Sequence, residues 1–181
     1  SSAASDVYKR QTALFVSKGK DVRTIPFVDL WPQYETLKAE IDAAIAEVIR
    51  TSAFILGKAV REFEKDLAES VGSPYAVGVA NATSALWMTL RAMGIGPGDE
   101  VITTVHTAVC TAESIALTGA KVVFVDIDPK TYQMSVDAVQ EAITRRTKAI
   151  VAVHLYGIPV DMMRLLEVAH KYKIPVVEDC A

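Results

Sequence analysis

The sequence predicts an α/β protein in which helices cover both faces of a mostly parallel sheet. Short runs rich in Val and Ile recur along the chain, and such runs are typical of strands buried on both faces. Between the runs, apolar residues recur at helical spacing, and Gly, Pro and Asp mark the turns. Strands that alternate with helices in this way favour parallel pairing. The high apolar content, 51% of 181 residues, suits a packed domain rather than a disordered chain.

The predicted elements alternate regularly. Residues 24–32 are expected to be extended, because Pro26 and Pro32 disfavour helix. Amphipathic helices are predicted at 34–50 and between Gly57 and Gly72, and Ser135 is a candidate helix cap. Beyond these we expect strands at 75–80, 100–105, 121–126, 148–153 and 174–179, a turn at 96–99, and helices at 83–93, 110–118, 136–143 and 162–172.

Composition and charge argue against several classes of function. The net charge of -3 and the lack of long basic blocks argue against nucleic-acid binding. No apolar run approaches the ~18 residues of a membrane span, so no membrane association is expected. The two cysteines form neither a disulfide framework nor a metal-ligand spacing. We therefore expect a cytoplasmic protein without a metal.

Three regions are predicted along the chain. Residues 1–11 resemble the translation of a sequencing adapter, and we expect this segment to be a disordered artefact outside the fold. Residues 12–56 are expected to form an N-terminal segment with one helix, and residues 57–181 the main α/β domain.

One predicted strand-to-helix turn has residues suited to binding an anion. It comprises residues 81–84 (NATS). The first N–H groups of a helix lack intrahelical partners and carry partial positive charge, so a phosphate can bind there with the Thr83 and Ser84 hydroxyls as further donors. Alternatively, Asn81 or Thr83 only caps the helix. No Gly-Lys-Ser/Thr loop and no GxGxxG motif is present, which argues against ATP and dinucleotides.

Three other polar residues follow predicted strands. Asp179 ends the last one, where an ionised carboxylate is costly to bury unless it is paired. A protonated pyridine nitrogen would be a suitable partner, and the alternative is an acid that caps the next turn. His106 and His154 are interpreted as core or supporting residues rather than catalysts. Because no third metal ligand lies near either one in the sequence, no metal site is expected there.

Together these features resemble the DegT/DnrJ/StrS-type family of pyridoxal-phosphate-dependent sugar aminotransferases, from about Pro26 to Ala181. The family has the fold type I, aspartate-aminotransferase-like architecture, so the resemblance implies that the chain is part of the large domain of such an enzyme. The order and spacing of several stretches carry the resemblance. They are 26–30 (PFVDL), 63–64 (FE), 81–86 (NATSAL), 96–102 (GPGDEVI), 119–120 (GA), 124–126 (FVD), 147–150 (TKAI), 153–157 (VHLYG) and 178–181 (EDCA).

The resemblance implies pyridoxal 5'-phosphate as the cofactor and assigns residues to two parts of it. Ala82 and Thr83 match the step that holds the cofactor phosphate. Asp179 matches the acid that pairs with the pyridine nitrogen and keeps the ring an electron sink. The resemblance therefore places the phosphate and the ring nitrogen at two separate positions of the sheet.

The two histidines are expected near the cofactor ring. Where the family has an aromatic residue stacked on the ring, this chain has Ala108, and His106 is the expected substitute. His154 is expected to lie beside the ring as a supporting residue.

The resemblance also implies a reaction. The intact protein is expected to transfer an amino group, usually from glutamate, to a nucleotide-linked keto-sugar for cell-surface polysaccharide or secondary-metabolite synthesis. In the family, the lysine that forms the Schiff base lies downstream of the Asp motif. We therefore expect the chain to be truncated before that lysine, to contain no catalytic residue and to be inactive alone.

Two alternatives stay open. Some family members have a histidine in place of the lysine and dehydrate sugars, and other relatives are non-catalytic regulatory proteins. In each case the resemblance implies a homodimer.

Overall fold

The computed structural model describes residues 13–18 and 21–181, with side chains from Pro26 onward. The predicted artefact at 1–11 lies outside these residues. The chain forms two compact units, one ending at Ala76 and the other comprising Val77–Ala181.

The first unit contains a strand pair and two helices. Strands β1 (Ala13–Lys18) and β2 (Asp21–Pro26) pair antiparallel, and helices α1 (Trp31–Thr51) and α2 (Lys58–Val71) follow. The prediction of extended backbone at 24–32 is wrong for its last two residues, because α1 already begins at Trp31. Pro32 is accommodated in the first turn, where a missing N–H breaks no intrahelical hydrogen bond. Gly72 ends α2 with φ of 66°, as the predicted stop requires.

The second unit alternates helices and strands. It begins with helix α3 (Ala82–Ala92), which the strand β3 (Glu100–Thr104) follows. The remaining elements are α4 (Val109–Ala116), β4 (Lys121–Val125), α5 (Val136–Ala142), β5 (Thr147–Val153), a short 3₁₀ helix (Leu155–Gly157), α6 (Met162–Tyr172) and β6 (Val176–Asp179). Ser135 caps α5 as predicted, accepting a hydrogen bond from the Ala138 N–H at 3.3 Å.

The four strands of this unit form a parallel sheet in the order β4-β3-β5-β6. Each strand therefore presents its carboxyl end at the same edge. Strands β3 and β5 occupy the centre, and all five residues of β3 are buried. The predicted class, a parallel sheet between helices, is confirmed.

Apolar cores lie on both faces of the sheet. Adjacent residues on a strand point to opposite faces, so Val101 faces one core and Ile102 the other. The first core unites Ile102, Ile150 and Ala152 with Val136 and Val139 of α5 and Leu165, Val168 and Ala169 of α6. The second unites Val101, Ala149 and Val151 with Leu86 and Leu90 of α3 and Ile115 of α4.

One predicted strand is absent. Residues 75–80 form no strand, although their apolar pattern suggests one. A strand exists only when its backbone groups pair in a ladder, and no ladder of the described chain includes this segment. Val77 is 78% exposed, so its apolar side chain is not buried as the prediction requires.

A buried carboxylate fixes the opposite, amino edge of the sheet. Glu100 is only 2% exposed at the start of β3. It accepts hydrogen bonds from the Thr144 hydroxyl at 2.5 Å and from the Arg146 guanidinium at 2.8 and 3.1 Å. These donors hold the pKa of the Glu100 carboxyl below its ordinary value of 4.5, because they stabilise its ionised form.

This lowered pKa predicts a pH-dependent contribution to stability. Glu100 stabilises the fold above its unfolded-state pKa, and the contribution is lost as the pH falls through the lower folded-state pKa. In the protein expressed from its complete gene, we expect Glu100→Gln to lower the urea midpoint at neutral pH, and the difference from wild type to shrink below pH 4.5. Glu141→Gln, an exposed carboxylate on α5, is the matched control. An equal loss at both pH values would contradict this account.

Candidate functional site

The amino end of α3 has the donors expected of an anion site. Asn81 lies just before the helix with extended backbone, and its Oδ1 accepts a hydrogen bond from the Ser84 N–H at 2.8 Å. Capping therefore uses Asn81, which leaves Thr83 free for another role. Within the described chain, the N–H groups of Ala82 and Thr83 and the Thr83 hydroxyl have no hydrogen-bond acceptor. The cap and the anion site are thus compatible.

Asp179 lies at the carboxyl end of β6 and is only 8% exposed. Its Oδ2 accepts a hydrogen bond from the Thr111 hydroxyl at 3.2 Å, and its Oδ1 accepts one from the Ala181 N–H at 3.2 Å. The second bond is the turn cap considered from the sequence. The first ties the carboxylate to α4, so Asp179 does more than close a turn.

Helix α4 connects the two ends of the site. Thr111 contacts Asp179, and Ser114, almost one turn further along α4, lies 3.1 Å from the Thr83 carbonyl oxygen. The Ser114 hydroxyl is closer to the Cys110 carbonyl, at 2.6 Å, so its single proton favours the bond within the helix. The α4–α3 contact is therefore mainly one of packing. It still places the amino end of α3 and Asp179 against one short helix.

His154 is joined to Asp179 through the backbone, because its N–H donates to the Asp179 carbonyl at 3.0 Å. Its ring is engaged elsewhere. Nδ1 accepts a hydrogen bond from the Val160 N–H at 3.1 Å, so the proton of the neutral ring lies on Nε2. Nε2 then donates to Glu178 Oε2 at 2.9 Å. With both nitrogens occupied, His154 is a support for the edge beside Asp179.

His106 belongs to a separate group of rings. Its Nε2 lies 3.1 Å from the Tyr156 hydroxyl, and the two ring centroids are 5.8 Å apart. The Tyr132 ring lies 6.5 Å from the His106 ring. Both tyrosines have left-handed backbone, with φ of 60° and 61°, which is uncommon outside glycine. Among the described side-chain contacts, His106 makes none to Thr83, His154 or Asp179.

The charges near Asp179 are mostly negative. Burial, followed by the nearby Glu178 and Asp179 carboxylates, raises the pKa of the Cys180 thiol above its ordinary value. The thiol therefore stays protonated and adds no further negative charge. A cationic group of a ligand would be favoured at this end of the edge, while an anionic group would be favoured at α3.

Reasoning from the sequence alone missed Thr111, Tyr132 and Tyr156. A signal for Thr111 exists, because it lies four residues after Thr107 and the two hydroxyls are 3.0 Å apart in the folded chain. No comparable spacing signal marks the tyrosines, whose positions depend on left-handed turns.

The described residues contain neither a candidate metal site nor a candidate membrane-spanning helix. No group of three or more His, Cys, Asp or Glu side chains there could hold a metal ion. None of the helices in that part of the chain combines the length and apolarity needed to cross a membrane.

Comparison with known proteins identifies the class of protein. The DegT/DnrJ/EryC1/StrS aminotransferase family matches residues 35–181. The chain belongs to this family, and the resemblance read from the sequence motifs is confirmed.

Three relatives illustrate the similarity. A UDP-2-acetamido-2-deoxy-3-oxo-D-glucuronate aminotransferase from Pseudomonas aeruginosa is 50% identical over 157 residues, which cover 87% of this chain and 44% of the relative. A pleiotropic regulatory protein from Geobacillus stearothermophilus is 46% identical over 87% of this chain and 42% of its own length. The crystal structure of NtdA from Bacillus subtilis with bound cofactor PMP has a TM-score of 0.82 and 32% identity, covering 90% of this chain and 38% of NtdA. The chain thus spans less than half the length of each.

The capping geometry of Asn81 generates a test that separates stability from anion binding. In the protein expressed from its complete gene, we expect Asn81→Ala to lower the free energy of unfolding by about 1 kcal/mol, because α3 loses its cap. Asn81→Asp keeps a side-chain acceptor and should unfold like wild type. Its added negative charge should nevertheless weaken the binding of pyridoxal 5'-phosphate, measured by absorbance titration. Wild-type affinity in Asn81→Asp would show that the phosphate does not lie at α3.

Proposed function

We propose that the complete protein transfers an amino group from glutamate to a nucleotide-linked keto-sugar, using pyridoxal 5'-phosphate. One observation carries the proposal. In a member of this aminotransferase family, α4 packs against the amino end of α3, where donors are unpaired, and bonds the buried carboxylate of Asp179. We further propose that residues 57–181 are part of the cofactor-binding domain and that the product serves polysaccharide or secondary-metabolite synthesis.

The described residues fit the cofactor. Its phosphate needs donors and partial positive charge, which the free N–H groups of Ala82 and Thr83 and the Thr83 hydroxyl supply. Its pyridine nitrogen needs an acid that favours the protonated state, and Asp179 is such an acid in a buried position. His154 and His106 would lie beside the ring, His154 as a support for the sheet edge and His106 as a ring whose edge-to-face contact with Tyr156 fixes its orientation. When bound, the cofactor withdraws electrons from the carbon that carries the amino group.

In this proposal the chain's own residues bind and orient the cofactor, and they break no bonds themselves. Thr83 and the first turn of α3 hold the phosphate, and Asp179 keeps a proton on the ring nitrogen. A buried carboxylate does this more strongly than an exposed one, because little water screens its charge. Lys148 lies at the start of β5 and thus near the opposite edge of the sheet. We therefore propose that a lysine encoded beyond Ala181 moves the proton at the substrate carbon.

The downstream residue also separates the two enzymatic alternatives. A lysine in that position supports amino transfer, whereas a histidine favours sugar dehydration. The sequence of the complete gene decides between them.

A regulatory role is the second candidate, since one relative of similar identity is described as a pleiotropic regulatory protein. Loss of the groups that hold the cofactor would favour that role, yet this chain retains both Thr83 and Asp179. We therefore favour the enzyme. We also propose a cytoplasmic homodimer.

The function is tested on the complete protein loaded with pyridoxal 5'-phosphate. We expect glutamate alone to convert the bound cofactor to its amino form, visible as a change in absorbance and accompanied by release of 2-oxoglutarate. No spectral change with added cofactor and glutamate would contradict the proposed reaction.

A variant of Asp179 tests its assigned role in the same assay. Asp179→Asn keeps the shape of the side chain but removes the charge that stabilises the protonated ring nitrogen. We expect the glutamate reaction to slow by at least about a hundredfold. Glu113→Gln, an exposed carboxylate on α4, should react like wild type. Near-normal turnover in Asp179→Asn would remove its assigned role.

A further inference from the structure

We propose that Thr111 is a positioning residue: its hydroxyl orients the Asp179 carboxylate and biases the shared proton toward the ring nitrogen. The inference rests on the proposed function, because it concerns the same cofactor. Thr111 does not touch the cofactor in this proposal. It acts through Asp179.

The geometry singles out this threonine. Thr111 is 1% exposed on the buried side of α4, and its Oγ1 lies 3.2 Å from Asp179 Oδ2. Thr107 Oγ1 lies 3.0 Å from the same Thr111 oxygen. The three side chains form a line from the loop after β3 to the end of β6. The sheet alone does not make this link, because β5 separates the two strands.

The number of available protons sets which group donates and which accepts in these hydrogen bonds. An ionised carboxylate only accepts hydrogen bonds, and a hydroxyl has one proton to donate. Thr111 therefore donates to Asp179, and its oxygen accepts from Thr107. A hydroxyl that accepts a hydrogen bond becomes a better donor, so Thr107 strengthens the bond to Asp179.

The carboxylate is held at both oxygens. Thr111 bonds Oδ2 and the Ala181 N–H bonds Oδ1, so neither oxygen rotates freely. Each oxygen keeps further acceptor capacity, which a ring N–H can use. The Thr111 hydroxyl already donates to Oδ2, so this oxygen competes less for a proton shared with the ring nitrogen. The shared proton therefore stays on the ring nitrogen.

Thr111→Val tests this inference, because valine keeps the shape of threonine and removes the donor. Without the bond, the Asp179 carboxylate is less fixed and its Oδ2 is free to compete for the shared proton, so the proton moves toward the oxygen. In the complete protein loaded with cofactor labelled at the ring nitrogen, nitrogen NMR should show a shift from the pyridinium position toward the neutral pyridine position. Affinity for pyridoxal 5'-phosphate should fall about tenfold.

Three further variants make the test specific. Thr111→Ser restores the hydroxyl and should restore the wild-type resonance, and Thr107→Val should move it in the same direction by less. Thr89→Val, an exposed threonine on α3, is the matched control and should leave the spectrum and affinity unchanged. A threonine with only a packing role would change thermal stability but not the ring nitrogen resonance.

The outcomes separate this inference from the proposed function. If cofactor-bound Thr111→Val shows the wild-type pyridinium resonance, the positioning role is wrong while the proposed function stands. If Thr111→Val binds no cofactor, the ring nitrogen resonances of Thr111→Ser and Thr107→Val are compared instead. The inference predicts that only Thr107→Val is shifted, so a wild-type resonance in Thr107→Val overturns it. If wild-type protein binds no cofactor, the proposed function itself is wrong.

Discussion

Parallel pairing of β3, β4, β5 and β6 is the constraint on which the candidate site depends. It brings the ends of four strands to one edge, although they are far apart in the sequence. The buried cores on both faces hold that arrangement, since a shift of one residue in any strand would turn its apolar side chains to the wrong face. Helix α4 then adds what the sheet does not supply, because it bonds the end of β6 through Thr111 and packs against the beginning of α3.

Most of the fold could be predicted because its signals are local. The helices and the four strands of the parallel sheet follow from apolar periodicity, with boundaries displaced by a few residues. The segment at 75–80 shows the limit, since a strand needs a partner and the apolar pattern does not say whether one is present. In the candidate site, the motifs at 81–84 and at Asp179 predict the residues. Their connection through Thr111 depends on how α4 packs, and packing is not a property of local sequence.

The chain contains the groups proposed to bind and orient the cofactor, and the matched region spans less than half the length of the relatives. This division fits the proposed function. The proposed phosphate donors and the proposed partner of the ring nitrogen lie in this chain, while the proposed proton-moving lysine would come from the remainder of the protein. The partial positive charge and the negative charge of the site also need to lie apart from each other. Partial positive charge at α3 and negative charge near Asp179 would hold a ligand that is anionic at one end and cationic at the other.

A crystal structure of the complete protein with pyridoxal 5'-phosphate tests the proposed cofactor site most directly. The predicted result is a phosphate within hydrogen-bond distance of the Ala82 and Thr83 N–H groups, with the ring nitrogen facing the Asp179 carboxylate. A cofactor phosphate bound away from α3, or a ring nitrogen that faces solvent or another residue, would contradict the account.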